Sequence, residues 1–159
     1  MLGRYEDQEM RIRRAEAGDL PSILAAERAC FSPDLAFPPQ TFSLLVAEAT
    51  TLVAEDGALA GFVSGFVSGG WGKVVTLNVL PQRRGEGVGR RLMEALEMEF
   101  ASQGAGAALL EVSVENREAV ALYEKLGYEK VALLEGYYGP GKAALLMKKT
   151  LSPSSPAGK

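Results

Sequence analysis

The segment Gln82-Arg83-Arg84-Gly85-Glu86-Gly87-Val88-Gly89-Arg90-Arg91 holds the densest chemistry in this 159-residue sequence. Glycines at 85, 87 and 89 let the backbone turn tightly and aim successive N–H groups at one spot, and a helix beginning there adds the positive end of its dipole. That backbone is an anion cradle. Arg84, Arg90 and Arg91 surround it with positive charge, so a phosphate or pyrophosphate is the expected guest. The competing reading is a glycine-rich connection with solvated arginines. Two familiar phosphate motifs fail. The dinucleotide fingerprint needs glycine at its first, third and sixth positions, and counting from Gly85 the sixth is Arg90. Gly136-Tyr137-Tyr138-Gly139-Pro140-Gly141-Lys142-Ala143 approaches the P-loop pattern, but Ala143 replaces the hydroxyl that would hold magnesium and an apolar strand follows. This second segment is expected to be a hairpin turn.

Proton transfer is tightly limited by composition. The sequence has no histidine, which removes Ser-His-Asp and Cys-His engines, His-bearing zinc sites and imidazole shuttling. A carboxylate, tyrosine, lysine, the single Cys30 or the backbone must serve. Glu111 lies in an apolar run, where a carboxylate is costly unless solvated or used. Tyr123 offers a weakly acidic phenol, although Ala119, Leu122, Tyr123 and Leu126 also form an apolar stripe at helical spacing. Cys30 has no histidine to activate it and is expected to be a buried helix residue. Trp71, among glycines, is expected to anchor a loop by burial. No cluster of Cys, His and carboxylates has metal-ligand spacing, so no metal is expected.

The elements that must position these groups follow from periodicity and turn chemistry. A first strand covers Arg11 to Arg14, and Asp19 N-caps a helix with Pro21 in its first turn and Ile23, Leu24, Glu27 and Phe31 on its inner face. A loop over 32–39, with three prolines, precedes a second helix near Gln40 to Ala49. Thr51 to Ala54 and Leu59 to Val67 read as strands joined by a turn at Glu55-Asp56-Gly57, and Lys73 to Leu80 as another, with Val75, Leu77 and Val79 on one face. A helix from Val88 to Gln103 repeats Val88, Leu92, Leu96 and Phe100. Leu109 to Val114 is a strand with Leu110, Val112 and Val114 on one face and Glu111, Ser113 and Glu115 on the other. A helix from Arg117 to Leu126 closes at Gly127, and strands near Glu129 to Leu134 and Ala143 to Lys149 finish the chain. Strands that pair locally and then alternate with helices predict a mixed α/β sheet with helices on its faces.

The length admits one domain over 11–151, between a loose extension at 1–10 and a Ser/Pro/Gly-rich tail at 152–159 expected to be disordered; Met10 is an alternative start. Seventeen Lys and Arg against 20 Asp and Glu give a formal net charge of −3, so no global basic field recruits nucleic acid or an acidic membrane. No apolar run approaches the ~18 residues of a membrane span. One cysteine and no secretory leader make a cytoplasmic location the expectation.

Three of these features together resemble the GNAT superfamily of N-acetyltransferases. Arg84, Gly87 and Gly89 fit its Arg-x-x-Gly-x-Gly pyrophosphate loop, and Val74 to Pro81 resembles its central strand. Asn116 to Tyr128 fits its second signature, Asn-x-x-Ala-x-x-Leu-Tyr-x-x-x-Gly-aromatic. Within the superfamily the chain looks most like RimI-type and archaeal protein N-terminal acetyltransferases, through Leu110-Glu111-Val112, Tyr137-Tyr138 and Ala144-Leu145-Leu146-Met147. It departs from them where Phe31-Ser32-Pro33-Asp34 lacks Pro-Trp-Ser and where Ser113 replaces an Arg.

The resemblance implies a mostly antiparallel central sheet flanked by helices in a single domain, with acetyl-CoA as co-substrate. It implies that Leu77, Val79, Arg84, Gly85, Glu86, Gly87, Val88, Gly89, Arg90, Asn116 and Tyr123 contact acetyl-CoA, with the backbone N–H near Val79 meeting the thioester oxygen. An Asn at 116 is explained equally well as a helix N-cap. Tyr123 is then the acid for the departing sulfur and Glu111 the base, acting through water; the alternative for Glu111 is pairing with a nearby arginine. Tyr137 and Tyr138 border the acceptor groove, against the alternative that they brace the Gly139-Pro140-Gly141 turn. The implied acceptor is a protein or peptide N-terminus, a ribosomal protein among the candidates, with the enzyme a monomer or weak homodimer. Two other functions stay open: an acetyltransferase for a small amine such as an amino acid, polyamine or aminoglycoside, and a non-catalytic acyl-CoA-binding module.

Overall fold

The computed structural model describes residues 9–152, so most of the expected extension and tail lies outside the described residues. The described elements are β1 (Arg11–Arg14), α1 (Leu20–Cys30), α2 (Pro39–Glu48), β2 (Thr50–Glu55), β3 (Leu59–Ser68), β4 (Trp71–Val79), α3 (Val88–Ser102), β5 (Ala107–Ser113), α4 (Arg117–Lys125), β6 (Glu129–Leu134) and β7 (Ala144–Thr150). Short 3-10 turns at Ala17–Asp19 and Pro81–Arg83 precede α1 and the glycine loop. The strands form one seven-stranded, mostly antiparallel sheet in the order β1-β2-β3-β4-β5-β7-β6. Its parallel pair is β4 with β5, Trp71 facing Ala107, because the chain between them crosses over through α3. Among the described residues no helix is long and apolar enough to cross a membrane.

The polypeptide gathers into two compact units that interleave along the sequence. The first lies within Met1–Gly65 and Thr76–Leu96. Its core is Ile23 and Ala26 of α1, Phe42 of α2, Val53 of β2 and Phe62 of β3, with the rings of Phe42 and Phe62 meeting edge to face at 5.7 Å. Asp19 does precede α1, yet it makes no side-chain cap there. Its carboxylate instead accepts from the Glu16 N–H at 2.7 Å and takes a bidentate Arg13 guanidinium at 2.9 Å. Arg13 also reaches Glu55, which pairs with Arg11, so β1 is tied to β2 by side chains as well as by its ladder. Both carboxyls are held below their usual range, mainly by the Arg13 hydrogen bonds.

The second unit lies within Phe66–Val75 and Glu97–Lys159. β5 is buried on the Leu110 and Val112 side and half-exposed at Glu111 and Ser113, as the alternation predicts. β7 lies between β5 and β6, with Glu111 opposite Leu146. Gly127, at φ 103°, turns the chain out of α4 as expected of a C-terminal cap. Glu97 is buried and accepts from the Tyr128 hydroxyl and the Lys149 ammonium, each at 2.8 Å. Trp71 departs from expectation: it begins β4, stays 42% exposed, and lies under the Lys148 ammonium, 5.0 Å from the ring centre. A strand's first residue at a hairpin end is not covered by a neighbouring layer, and a cation supplies the contact that burial would have given.

Candidate active site

In the first unit the site is backbone. β4 ends at Val79, the 3-10 turn Pro81–Arg83 follows, and α3 starts at Val88. Gly85 and Gly87 take φ of 83° and 84°, and nothing lies within 4 Å of where a Cβ would stand on either. Their backbone therefore faces open space beside a helix start, whose first N–H groups have no intrahelical acceptor. That is a fit for a pyrophosphate. The arginines contribute less than their number suggests. Arg83 binds Asp56 and Glu86, which draws the Glu86 carboxylate into an ion pair. Arg91 donates to the Met10 carbonyl at 3.0 Å, and Arg90 pairs with Glu94 on the helix surface. Arg84 turns its Nε back to the Val79 carbonyl at 3.1 Å.

The strand leading into this loop inverts ordinary polarity. Val75, Leu77 and Val79 do share a face, and it is the half-exposed one; the buried face carries Gly72, Val74, Thr76 and Asn78. Thr76 and Asn78 are buried because they are paired: Thr76 Oγ1 donates to Asn78 Oδ1 at 2.9 Å, and Asn78 Nδ2 donates to Glu27 Oε1 at 2.8 Å. Sequence reasoning placed Glu27 on the inner face of α1 without assigning it a partner. The available signal was a carboxylate amid Ile23, Ala26 and Phe31. Cys30 is half-buried at the end of α1, with Sγ 3.4 Å from the Val79 carbonyl, and burial pushes its thiol up, away from the nucleophilic form.

The second unit brings Glu111, Tyr123, Tyr137 and Tyr138 together. Glu111 projects from the half-exposed face of β5, and its Oε1 meets Lys73 Nζ at 2.6 Å. The partner is thus a lysine, not the arginine weighed from the sequence. Tyr137 lies beside the same carboxylate, and burial together with the negative Glu111 raises its phenol. Tyr138, its ring edge to face with Tyr137 at 4.9 Å, is pushed up to about 12, by burial first and then by Tyr137 and Glu111. Tyr123 is buried on α4 and packs against Tyr128 at 5.9 Å. Burial, with Tyr138 nearby, raises its pKa well above the ordinary phenol value. The turn between β6 and β7 needs glycine at 136, 139 and 141, all with positive φ, and is braced by the Tyr138 N–H to the Lys142 carbonyl at 3.0 Å. Tyr138 thus braces the turn through its backbone, and both tyrosines sit near Glu111. Asn116 caps α4, its Oδ1 accepting from the Ala119 N–H at 3.1 Å. Among the described residues no group of three metal-binding side chains forms.

Comparison with known proteins places these features in a family. An N-alpha-acetyltransferase of Sulfurisphaera tokodaii is 32% identical over 158 aligned residues, covering 91% of this chain and 95% of that protein. The structure of the ribosomal-protein-S18-alanine N-acetyltransferase from Escherichia coli superposes with a TM-score of 0.83 at 25% identity, covering 95% of this chain and 99% of its own. A nourseothricin acetyltransferase superposes with a TM-score of 0.75 at 28% identity over 90% of this chain and 99% of its own. The model of the acetyltransferase (GNAT) family matches residues 20–128, from the first residue of α1 to the aromatic that follows α4. A match of that extent takes in the glycine loop, Glu111 and Tyr123 together, and the chain belongs to the GNAT family of acetyltransferases, acyltransferases that use acetyl-CoA.

Proposed function

We propose that the chain transfers the acetyl group of acetyl-CoA to the α-amino group of a protein N-terminus. The observation that carries this is the cluster of Glu111, Tyr123, Tyr137 and Tyr138, three chain segments whose polar groups interact within one unit. A base, an acid and two flat amphipathic rings near enough to shift one another's titration suit an extended peptide end presenting an amine. The archaeal relative named N-alpha-acetyltransferase supports the same reading.

Acetyl-CoA supplies the activated thioester. The backbone of Leu77 and Val79, the 84–90 loop and Asn116 hold it, the glycine N–H groups taking the pyrophosphate. Glu111, through water, accepts the proton that the ammonium must lose before its nitrogen attacks the carbonyl carbon. The Val79 N–H stabilises charge gathering on the thioester oxygen. As the C–S bond breaks, Tyr123 delivers its proton to the sulfur and the nitrogen gives up its second proton, which through water restores the Tyr123 phenol, leaving CoA thiol and a neutral N-acetylated chain end. A free α-amine has a pKa of ~7.7 to 8.0, so little is asked of the base; a lysine amine near ~10.4 would ask more.

The second reading, a small-amine acceptor, is favoured by the nourseothricin acetyltransferase neighbour. One competition assay separates the two. Short peptides with free N-termini should be acetylated, peptides with blocked N-termini and an internal lysine should be poor acceptors, and Tyr138→Ala should raise KM for the peptide much more than for acetyl-CoA. Efficient turnover of blocked peptides, or preference for free polyamines, would overturn the N-terminal reading.

A further inference from the structure

Glu27 is a carboxylate where packing alone would ask for an apolar side chain. It is 3% exposed, on the face of α1 that carries Ile23 and Ala26 into the core. A buried carboxylate is costly unless its oxygens are used, and here both are. Oε1 accepts from Asn78 Nδ2 and Oε2 from the Phe37 N–H, each at 2.8 Å. Asn78 is 1% exposed, and its Oδ1 accepts from Thr76. A polar chain therefore runs from β4 through α1 to the segment before α2, and among the described residues no buried side-chain polar atom lacks a partner.

This chain grips β4 at one particular peptide. The bond after Asn78 carries the Val79 N–H, and its neighbours on both sides are held by contacts. The Val79 carbonyl receives both Arg84 Nε and Cys30 Sγ. The Leu80 N–H donates to the Ala60 carbonyl at 3.0 Å. Gly61 of β3 lies so close that a Cβ there would overlap the Asn78 carbonyl oxygen. We propose that Glu27 is a positioning residue for acetyl transfer: by holding Asn78 it aims the Val79 N–H at the thioester oxygen, without touching either substrate. This rests on the assignment of Val79 as the oxyanion donor in the proposed function. A leucine could fill the same space, but it could not hold donors from two separate segments. Misaiming a catalytic group by about 1 Å can cost on the order of 10²-fold, and the loss falls on kcat when binding contacts are untouched.

The test compares the full-length protein with E27L, E27Q and N78A. Each is assayed for kcat and KM with an N-terminal peptide and with a small amine, alongside acetyl-CoA affinity by calorimetry and a thermal melt. Glutamine can rebuild the network: its Oε1 takes the Phe37 N–H, and its Nε2 donates to Asn78 once that amide turns over and donates in its place to Thr76. E27Q should retain kcat within about threefold, whereas E27L and N78A should lose about tenfold or more with every acceptor that turns over, their acetyl-CoA Kd moving by less than about threefold. Unchanged kcat in folded E27L or N78A, equal losses in E27Q and E27L, or a raised KM for one acceptor alone would overturn the proposal. N78A decides the matter if E27L does not fold, because it cuts the same link and spares the tie to Phe37. Wild-type protein that acetylates the amine and no peptide overturns the N-terminal reading separately, and the kcat comparison then runs on the amine.

Discussion

Tyr123 can act as an acid only while its phenol stays protonated, and burial favours that form by disfavouring the charged phenolate. Because its pKa is raised above the ordinary phenol value of 10.0, kcat should show no alkaline fall from loss of this proton until pH exceeds ~10. Tyr123→Phe should lower kcat by about 10²-fold or more while acetyl-CoA affinity changes little, since the ring that packs against Tyr128 remains. A pH–rate profile with stopped thiol release, plus calorimetry on the variant, checks both. Glu111→Gln acts at the other end of the pH scale. Below ~7.5 the acceptor amine is mostly charged, so a missing base matters more as pH falls, and the ratio of wild-type to variant rate should widen toward pH 6. A constant ratio would leave Glu111 as the Lys73 and Tyr137 anchor alone.

At the scale of elements, the clamp of Arg13 on Asp19 and Glu55 makes β1 the acid-sensitive edge of the sheet. Both carboxyls titrate lower in the folded chain than their ordinary values of 3.8 and 4.5. Their contribution is therefore fully present above about pH 4.5 and is lost as pH falls through the lowered values. Thermal melts between pH 6 and pH 3 should show this limb, and Arg13→Met should flatten it. Asp19 also illustrates what a sequence conceals. A helix start with Asp ahead of Pro21 was legible from local chemistry, but not that an arginine on β1 would claim the carboxylate. The seven strands and four helices were legible to within about two residues because periodicity and glycine turns are local signals. The two 3-10 turns were not, being three residues long with no period of their own. Spacing marked the glycine loop, Glu111 and Tyr123. It could not mark Lys73, Glu27 or Asn78 as partners, since |i−j| is 51 for the Asn78 to Glu27 bond and such pairs exist only once the sheet is built.

For the molecule as a whole, acetyl-CoA that binds only the folded chain must stabilise it by mass action, so saturating acetyl-CoA should raise the melting temperature. Gly87→Val should abolish that shift. At φ 84° a β-branched residue is strained, and its side chain would project into the open space beside the loop backbone. A folded Gly87→Val protein that still melts higher with acetyl-CoA would remove the loop from the binding site. Such titrations have an optical readout already in place. Trp71 is the single tryptophan of the chain, half-open to water at the first residue of β4, with the Lys148 ammonium over its ring. All indole emission thus originates at one known address. A cation over the excited ring offers a proton and dims it, so Lys148→Met should brighten the native spectrum, and its difference from wild type should vanish in denaturant, where the pair is broken. The intrinsic fluorescence of this enzyme is in effect a label, placed by the fold at the end of a hairpin and tuned by one lysine.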